Sequence, residues 1–176
     1  MFRASMATAY VALVLLTATL AFGPIASFKG RRYPVTTDIR RDVGIWTAVV
    51  AIAHVVIGLQ VHLRGKMWEY FVHSVRGTFL PRIDPFGAAN YAGAVAAILL
   101  VVLLATSNDA SLRGLGAPTW QRVHRTVEWV LILTLLHAGV YQWVEKRQAG
   151  IIVVLLMVGV SGLAMRLAAE RARRPS

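Results

Sequence analysis

The chain has 176 residues, 57% of them hydrophobic and 15% charged, yet its formal net charge is +11. A soluble domain holds roughly 45–50% apolar and about 25% charged residues, so an ordinary soluble globular domain is excluded. A nucleic-acid surface is excluded with it, because the apolar runs leave no polar face to carry one. There are no cysteines, which removes disulfides, iron–sulfur clusters, thiolate zinc sites and Cys nucleophiles. What remains is a membrane protein with basic loops, an all-α integral membrane helical bundle.

A spanning helix needs about 20 apolar residues, range about 17–25. Residues 4–28 carry no charge and predict a first span at about 5–27. Arg3 before this run and small residues within it also resemble a signal peptide. Signal cores typically run about 7–15 residues, whereas this one is 25 long, so a retained span is expected. Residues 43–61 carry only one ionisable group, His54, and predict a second span at about 42–63. In the loop that follows, Trp68, Phe71, Val72, Val75 and Phe79 recur at helical spacing, with Lys66, Glu69 and Arg76 off the stripe. That pattern predicts a short amphipathic helix, either lying on the outer membrane surface or capping the bundle. Residues 85–108 are uncharged and predict a third span at about 85–107. Residues 129–144 are uncharged, contain His137, and reach spanning length as 124–145 by taking in Glu128. Residues 148–165 are uncharged and predict a fifth span at about 148–168. The whole chain, 1–176, reads as a single domain of five spans without internal repeats.

Charge sets the orientation. Lys29, Arg31, Arg32, Arg40, Arg41, Arg113, Arg122, Arg125, Arg166, Arg171, Arg173 and Arg174 fall on one side of five spans, and seven basic residues fall on the other. The positive-inside rule places the first set in the cytoplasm, the N-terminus outside and the C-terminus inside, in a multi-pass protein of the cell's inner membrane.

Five histidines remain as notable ligand candidates. A histidine inside a span is a functional candidate by default, since its ring must find a partner in hydrocarbon. His54 lies 11 residues past Val43, so roughly 16 Å deep, and His137 lies 12 past Arg125, so roughly 18 Å deep. The two helices run parallel, so both rings reach nearly one level, as two axial ligands of one haem require. Thr47, Ala51 and Gly58 share the face of His54 and leave room for a flat macrocycle; the alternative is that they permit close helix packing. Gly87, Asn90, Ala94 and Ala97 form a similar stripe on the third span, read as packing. His124 lies roughly 19.5 Å below His137, near the cytoplasmic surface, where the matching positions of the second span hold Arg40 and Arg41. It could bind a haem alone or with a non-histidine partner, hold a quinone head group, or sit among interfacial arginines. His62 and His73 flank the outer loop and read as rim residues or part of an outer substrate or metal site. Glu128, one turn after His124, reads as an interfacial residue or a proton relay.

The segment Arg40-Arg41-Asp42-Val43-Gly44-Ile45-Trp46, with His54 ten residues after Gly44, resembles the ferric reductase-like transmembrane family. So do Thr106-Ser107, Leu115-Gly116, Trp120-Gln121-Arg122-Val123-His124-Arg125 and the 13-residue step to His137. The likeness covers roughly residues 5–165. It is strongest to the branch of haem-binding membrane subunits of periplasmic methionine sulfoxide reductase systems, in a family that also holds metalloreductases and the membrane part of NADPH oxidases. The resemblance implies haem b between the second and fourth spans, ligated by His54 and His137. It also implies electron transfer across the bilayer, from a cytoplasmic flavin or a membrane quinol to an outer acceptor such as a periplasmic redox partner. His124 matches the family's inner histidine. In two-haem members its partner stands about 14 residues before the outer ligand, which here is Arg40, so one haem is expected and a second is an open possibility. The chain also departs from the common six-helix pattern by lacking the first helix. Only eleven residues follow Met165, so a separate reductase polypeptide or a quinol is the expected donor. The other readings are a non-catalytic haem-binding or assembly subunit, and a small proton-coupled transporter using His54, His137 and Glu128.

Overall fold

The computed structural model describes residues 1–28, 34–61, 63, 66–75, 77–145 and, near the C-terminus, 153, 157, 159–162 and 164. The bundle begins with α1 (Phe2–Phe28), whose residues carry no charge after Arg3. Helix α2 (Pro34–Gly58) starts earlier than the apolar run, because Pro34 occupies its first position, where no backbone donor is needed. Helix α3 (Pro85–Ala105) has the same device plus a cap, as the Asp84 carboxylate accepts the Gly87 N–H at 2.7 Å.

Helix α4 (Asp109–Arg125) occupies the stretch expected to be a loop. Asn108 caps it by accepting from Ser111 N–H at 2.8 Å, and Gly116 breaks it in two at φ 71°, ψ 154°, just before Pro118. Gly116 and Pro118 therefore make a kink between two helical pieces. Helix α5 (Val127–Val144) follows after a one-residue turn at Thr126. Four segments of the described residues are long and apolar enough to span a bilayer: Phe2–Phe22, Asp38–Gly58, Pro85–Ala105 and Asp109–Val144. The expected fifth span, 148–168, lies mostly outside the described residues. Those of it that are described are helical. A side chain added at Gly159 would meet Leu135, and one at Gly162 would meet Thr17, each at 3.0 Å, so this segment lies against α5 and α1.

The amphipathic helix expected over 68–79 is not formed. A single 3-10 turn, Met67–Tyr70, leads into an antiparallel hairpin of β1 (Val72–Val75) and β2 (Thr78–Pro81), with Val72 opposite Pro81 and Val75 opposite Thr78. Apolar spacing over so short a segment fits both structures. Two features favour the hairpin: β-branched Val72, Val75 and Thr78, and Gly77 at φ +84° in the tight turn. The hairpin is tied down through the Phe71 carbonyl, which accepts from Arg82 N–H at 2.7 Å and from the Tyr91 hydroxyl at 2.6 Å.

Helix α1 packs chiefly on α2, and α3 chiefly on α5. Leu13, Leu16, Leu20 and Ala48 from the first pair meet Ala96, Leu100, Leu103, Val130 and Leu131 from the second in one core. Trp46 and Trp129, each 61% exposed, stand at the same place on α2 and α5, eight residues before His54 and His137 respectively. Exposed tryptophans at matched heights mark a membrane interface. Both histidines then lie roughly 12 Å inside it.

Candidate functional site

His54 on α2 and His137 on α5 meet in a cavity between the helix pairs. Their ring centroids are 6.4 Å apart and their planes cross at 77°. Each ring is held by a backbone carbonyl: His54 Nδ1 lies 2.9 Å from Ser5 O on α1, and His137 Nδ1 lies 2.8 Å from Ala89 O on α3. A carbonyl can only accept, so each Nδ1 carries the proton and each Nε2 keeps its lone pair. A hydrogen bond from one ring nitrogen that fixes the tautomer and frees the other is the arrangement found behind metal-ligating histidines.

The space around the rings is made by small side chains. Thr47, Ala51 and Gly58 on α2, Gly93, Ala94 and Ala97 on α3, and Ala138 on α5 line it. The face of His54 therefore borders the cavity, and so does part of the α3 stripe that had read as plain packing. Gly93 is the tightest point: a Cβ there would stand 2.7 Å from His137 Nδ1 and 2.9 Å from its Cε1. No larger residue fits while the imidazole stays where it is.

These residues fit an axially ligated haem. Two imidazoles bound to one ion from opposite sides, each at about 2 Å from nitrogen with roughly 1 Å more to the ring centre, place the centroids about 6 Å apart. The observed spacing matches, and the lone pairs are free. Among the described residues no group of three or more His, Cys, Asp or Glu side chains gathers in a way that could hold a metal ion. The pair is thus suited to two-fold axial ligation rather than to a closed protein-only metal cage.

His124 lies at the other end of the bundle, on α4. Its ring stacks on Trp120, with centroids 3.8 Å apart at 21°. Its Nε2 lies 3.2 Å from Thr106 Oγ1, whose own hydroxyl hydrogen goes to the Val102 carbonyl at 2.8 Å. His124 Nε2–H therefore donates, and Trp120 Nε1–H donates to Thr106 O at 2.8 Å beside it. The three residues tie α4 to the end of α3. His73 sits exposed on β1 opposite Leu80, away from the pair, and His62 lies outside the described residues. Arg82, at the outer end of α3, pairs with Asp84 at 2.9 Å and stacks over Phe86 at 4.7 Å.

Three residues complete the site: Tyr70 and Tyr141, which went unread in the sequence, and Asn90, which read as packing. Asn90, only 7% exposed, donates to Tyr70 O at 3.2 Å and Phe86 O at 2.9 Å and accepts from Tyr141 OH at 2.8 Å. Tyr141, one turn beyond His137, lays its ring 4.8 Å from the imidazole. Tyr70, also buried, donates to Gly58 O at 2.9 Å. Two signals were available: Asn90 is the lone side-chain amide of α3, and Tyr141 stands at i+4 from a histidine.

Residues 5–135 match the family model described as the ferric reductase like transmembrane component. The protein-methionine-sulfoxide reductase heme-binding subunit MsrQ of Deinococcus radiodurans is 30% identical over 177 residues, covering 99% of this chain and 79% of that protein. MsrQ of Ralstonia nicotianae is 33% identical over 150 residues, covering 82% of this chain and 64% of that protein. No solved structure matches the chain.

Proposed function

Since the chain belongs to the ferric reductase-like transmembrane family, we propose that it is a b-type cytochrome subunit in which His54 and His137 are the axial ligands of one haem. The observation that carries this reading is the pair itself: two imidazoles 6.4 Å apart, both with Nδ1 bonded to a carbonyl and Nε2 free. When bound, haem supplies one-electron Fe(III)/Fe(II) exchange. The chain's residues do the rest. Ser5 O and Ala89 O hold the ligand tautomers. Gly93 lets α3 approach His137. Leu13, Leu16 and Leu100 give the cavity an apolar lining. Held by both imidazoles, the haem would supply electron exchange rather than substrate chemistry, and the protein would act as an electron relay.

In this reading the basic ends of the spans face the cytoplasm of an inner-membrane protein, and the hairpin faces outward. The donor is a separate flavin reductase or a quinol. The acceptor is an outer redox protein, of the kind that the relatives' name, protein-methionine-sulfoxide reductase, denotes. His124, with Nε2–H committed to Thr106, serves as a tie between α3 and α4.

Purified protein made with ample haem tests this directly. We expect a low-spin spectrum that shifts on dithionite reduction, with about one haem per chain by pyridine haemochrome. His54→Ala and His137→Ala should each lose most haem or turn it high-spin. A normal low-spin spectrum in either variant would refute the ligand assignment.

A further inference from the structure

The two histidines sit on helices that scarcely touch: α2 packs on α1 and, less, on α3, while α5 packs on α3. Their spacing must therefore be set through intermediaries. At the hairpin end an unbroken hydrogen-bonded path does this. Gly58 O, one turn beyond His54, accepts from Tyr70 OH; Tyr70 O accepts from Asn90 Nδ2; and Asn90 Oδ1 accepts from Tyr141 OH, one turn beyond His137. We propose that Tyr70, Asn90 and Tyr141 form a strap that fixes the spacing and ring orientation of His54 and His137, acting as positioning residues for the ligand pair. The inference rests on the axial-ligand reading above.

Two further observations point the same way. Asn90 is a buried amide in an otherwise apolar span, where an unbonded one is costly. Both its N–H groups and its oxygen are used, so the cost is met by tying three elements together. Nothing in plain packing requires that of the position. Second, Ala89 and Gly93 flank Asn90 on α3 and bear directly on His137, through the Nδ1 bond and through the close approach. One face of α3 thus holds the imidazole, and the same face holds the tyrosine lying against it. Anchoring the Tyr141 hydroxyl fixes the tilt of its ring, 48° to the imidazole, and so limits the imidazole's rotation.

The test uses the full chain, haem-loaded, in detergent or nanodiscs. The variants are Tyr70→Phe, Tyr141→Phe and the double, each losing one oxygen and keeping its ring. Tyr91→Phe is the control: its hydroxyl bonds the Phe71 carbonyl in the same layer but lies outside the strap. The readouts are haem per chain, carbon monoxide binding to the reduced protein and the g values of the oxidised form. We expect Tyr70→Phe and Tyr141→Phe to keep haem, to raise the carbon-monoxide-reactive fraction severalfold and to shift the g values. The double variant should do little more than the worse single one, as for members of one unit. Loss of haem at unchanged helicity would be the stronger form of the same result. Wild-type carbon monoxide binding and g values in Tyr141→Phe alone would overturn the strap, as would an equal change in Tyr91→Phe. A colourless wild type, or a low-spin His54→Ala, would instead overturn the ligand reading beneath it.

Discussion

Gly93→Ala is the sharpest probe of the site. The added methyl would stand 2.7, 2.9 and 3.3 Å from Nδ1, Cε1 and Cγ of His137. Ordinary non-bonded contact is about 3.5–4.0 Å, so the ring or the helix must retreat by roughly 1 Å. The helix is the harder to move, because α3 and α5 supply six of the ten buried core residues among those described. The ring can move only by leaving Ala89 O, 2.8 Å away, whose loss costs about 1 kcal/mol beyond the strain of overpacking, about 1–3 kcal/mol. The sum is about 2–4 kcal/mol, enough to spoil ligation, since ligand distances tolerate only about ±0.2 Å. We expect a folded protein with haem largely lost or high-spin, scored by pyridine haemochrome per chain and by the Soret band. Gly139→Ala is the matched control, two residues from the same histidine with nothing within 4 Å of the added methyl. It should keep haem and stabilise α5 by up to about 1 kcal/mol. Full low-spin haem in Gly93→Ala would show that His137 is not held as described.

His124→Ala should keep low-spin haem at the wild-type stoichiometry while losing the Trp120 stack and the Thr106 bond, together about 1–2 kcal/mol, seen as a lower melting temperature. Two haems per chain in the wild type, falling to one in His124→Ala, would instead make His124 the ligand of a second haem. Asp84 gives a pH prediction. The Gly87 N–H, with Arg82 beside it, holds this carboxyl below the usual aspartate value. The folded value is depressed, so the cap's contribution is fully present above the unfolded value of about 3.9 and is lost as pH falls through the folded value. Thermal melts of wild type and Asp84→Ala should therefore differ at neutral pH and converge below about pH 4. A constant gap down to pH 2 would rule out the carboxylate as the cap.

The histidine pair was legible because depth needs only the entry point of each helix and its rise per residue. The counts placed His54 and His137 within roughly 2 Å of one level, and the rings meet. The four spans among the described residues were legible for the same kind of reason, since length and charge are local properties. What was not legible depends on partners. The carbonyls of Ser5 and Ala89 orient both imidazoles, yet a backbone carbonyl has no side-chain signature. Gly93 reads like any small residue until the distance to His137 is known. The hairpin was missed because an apolar spacing of three and four residues, cut off after eleven, fits a strand pair with a glycine turn as well as a helix. The α4 helix was missed because its basic, weakly apolar stretch lacks the uncharged run that marks a span, and reads as a loop between spans. Sequence therefore reaches the histidine pair proposed as ligands, and structure adds its geometry. The distinction has a consequence for mutation. Ser5→Ala leaves the Ser5 carbonyl in place, so it should leave His54 oriented, whereas Gly93→Ala should not spare His137. A site whose tautomers are held by backbone tolerates change at the very residues that supply the bond, and is sensitive at the small residues that let the helices close upon it.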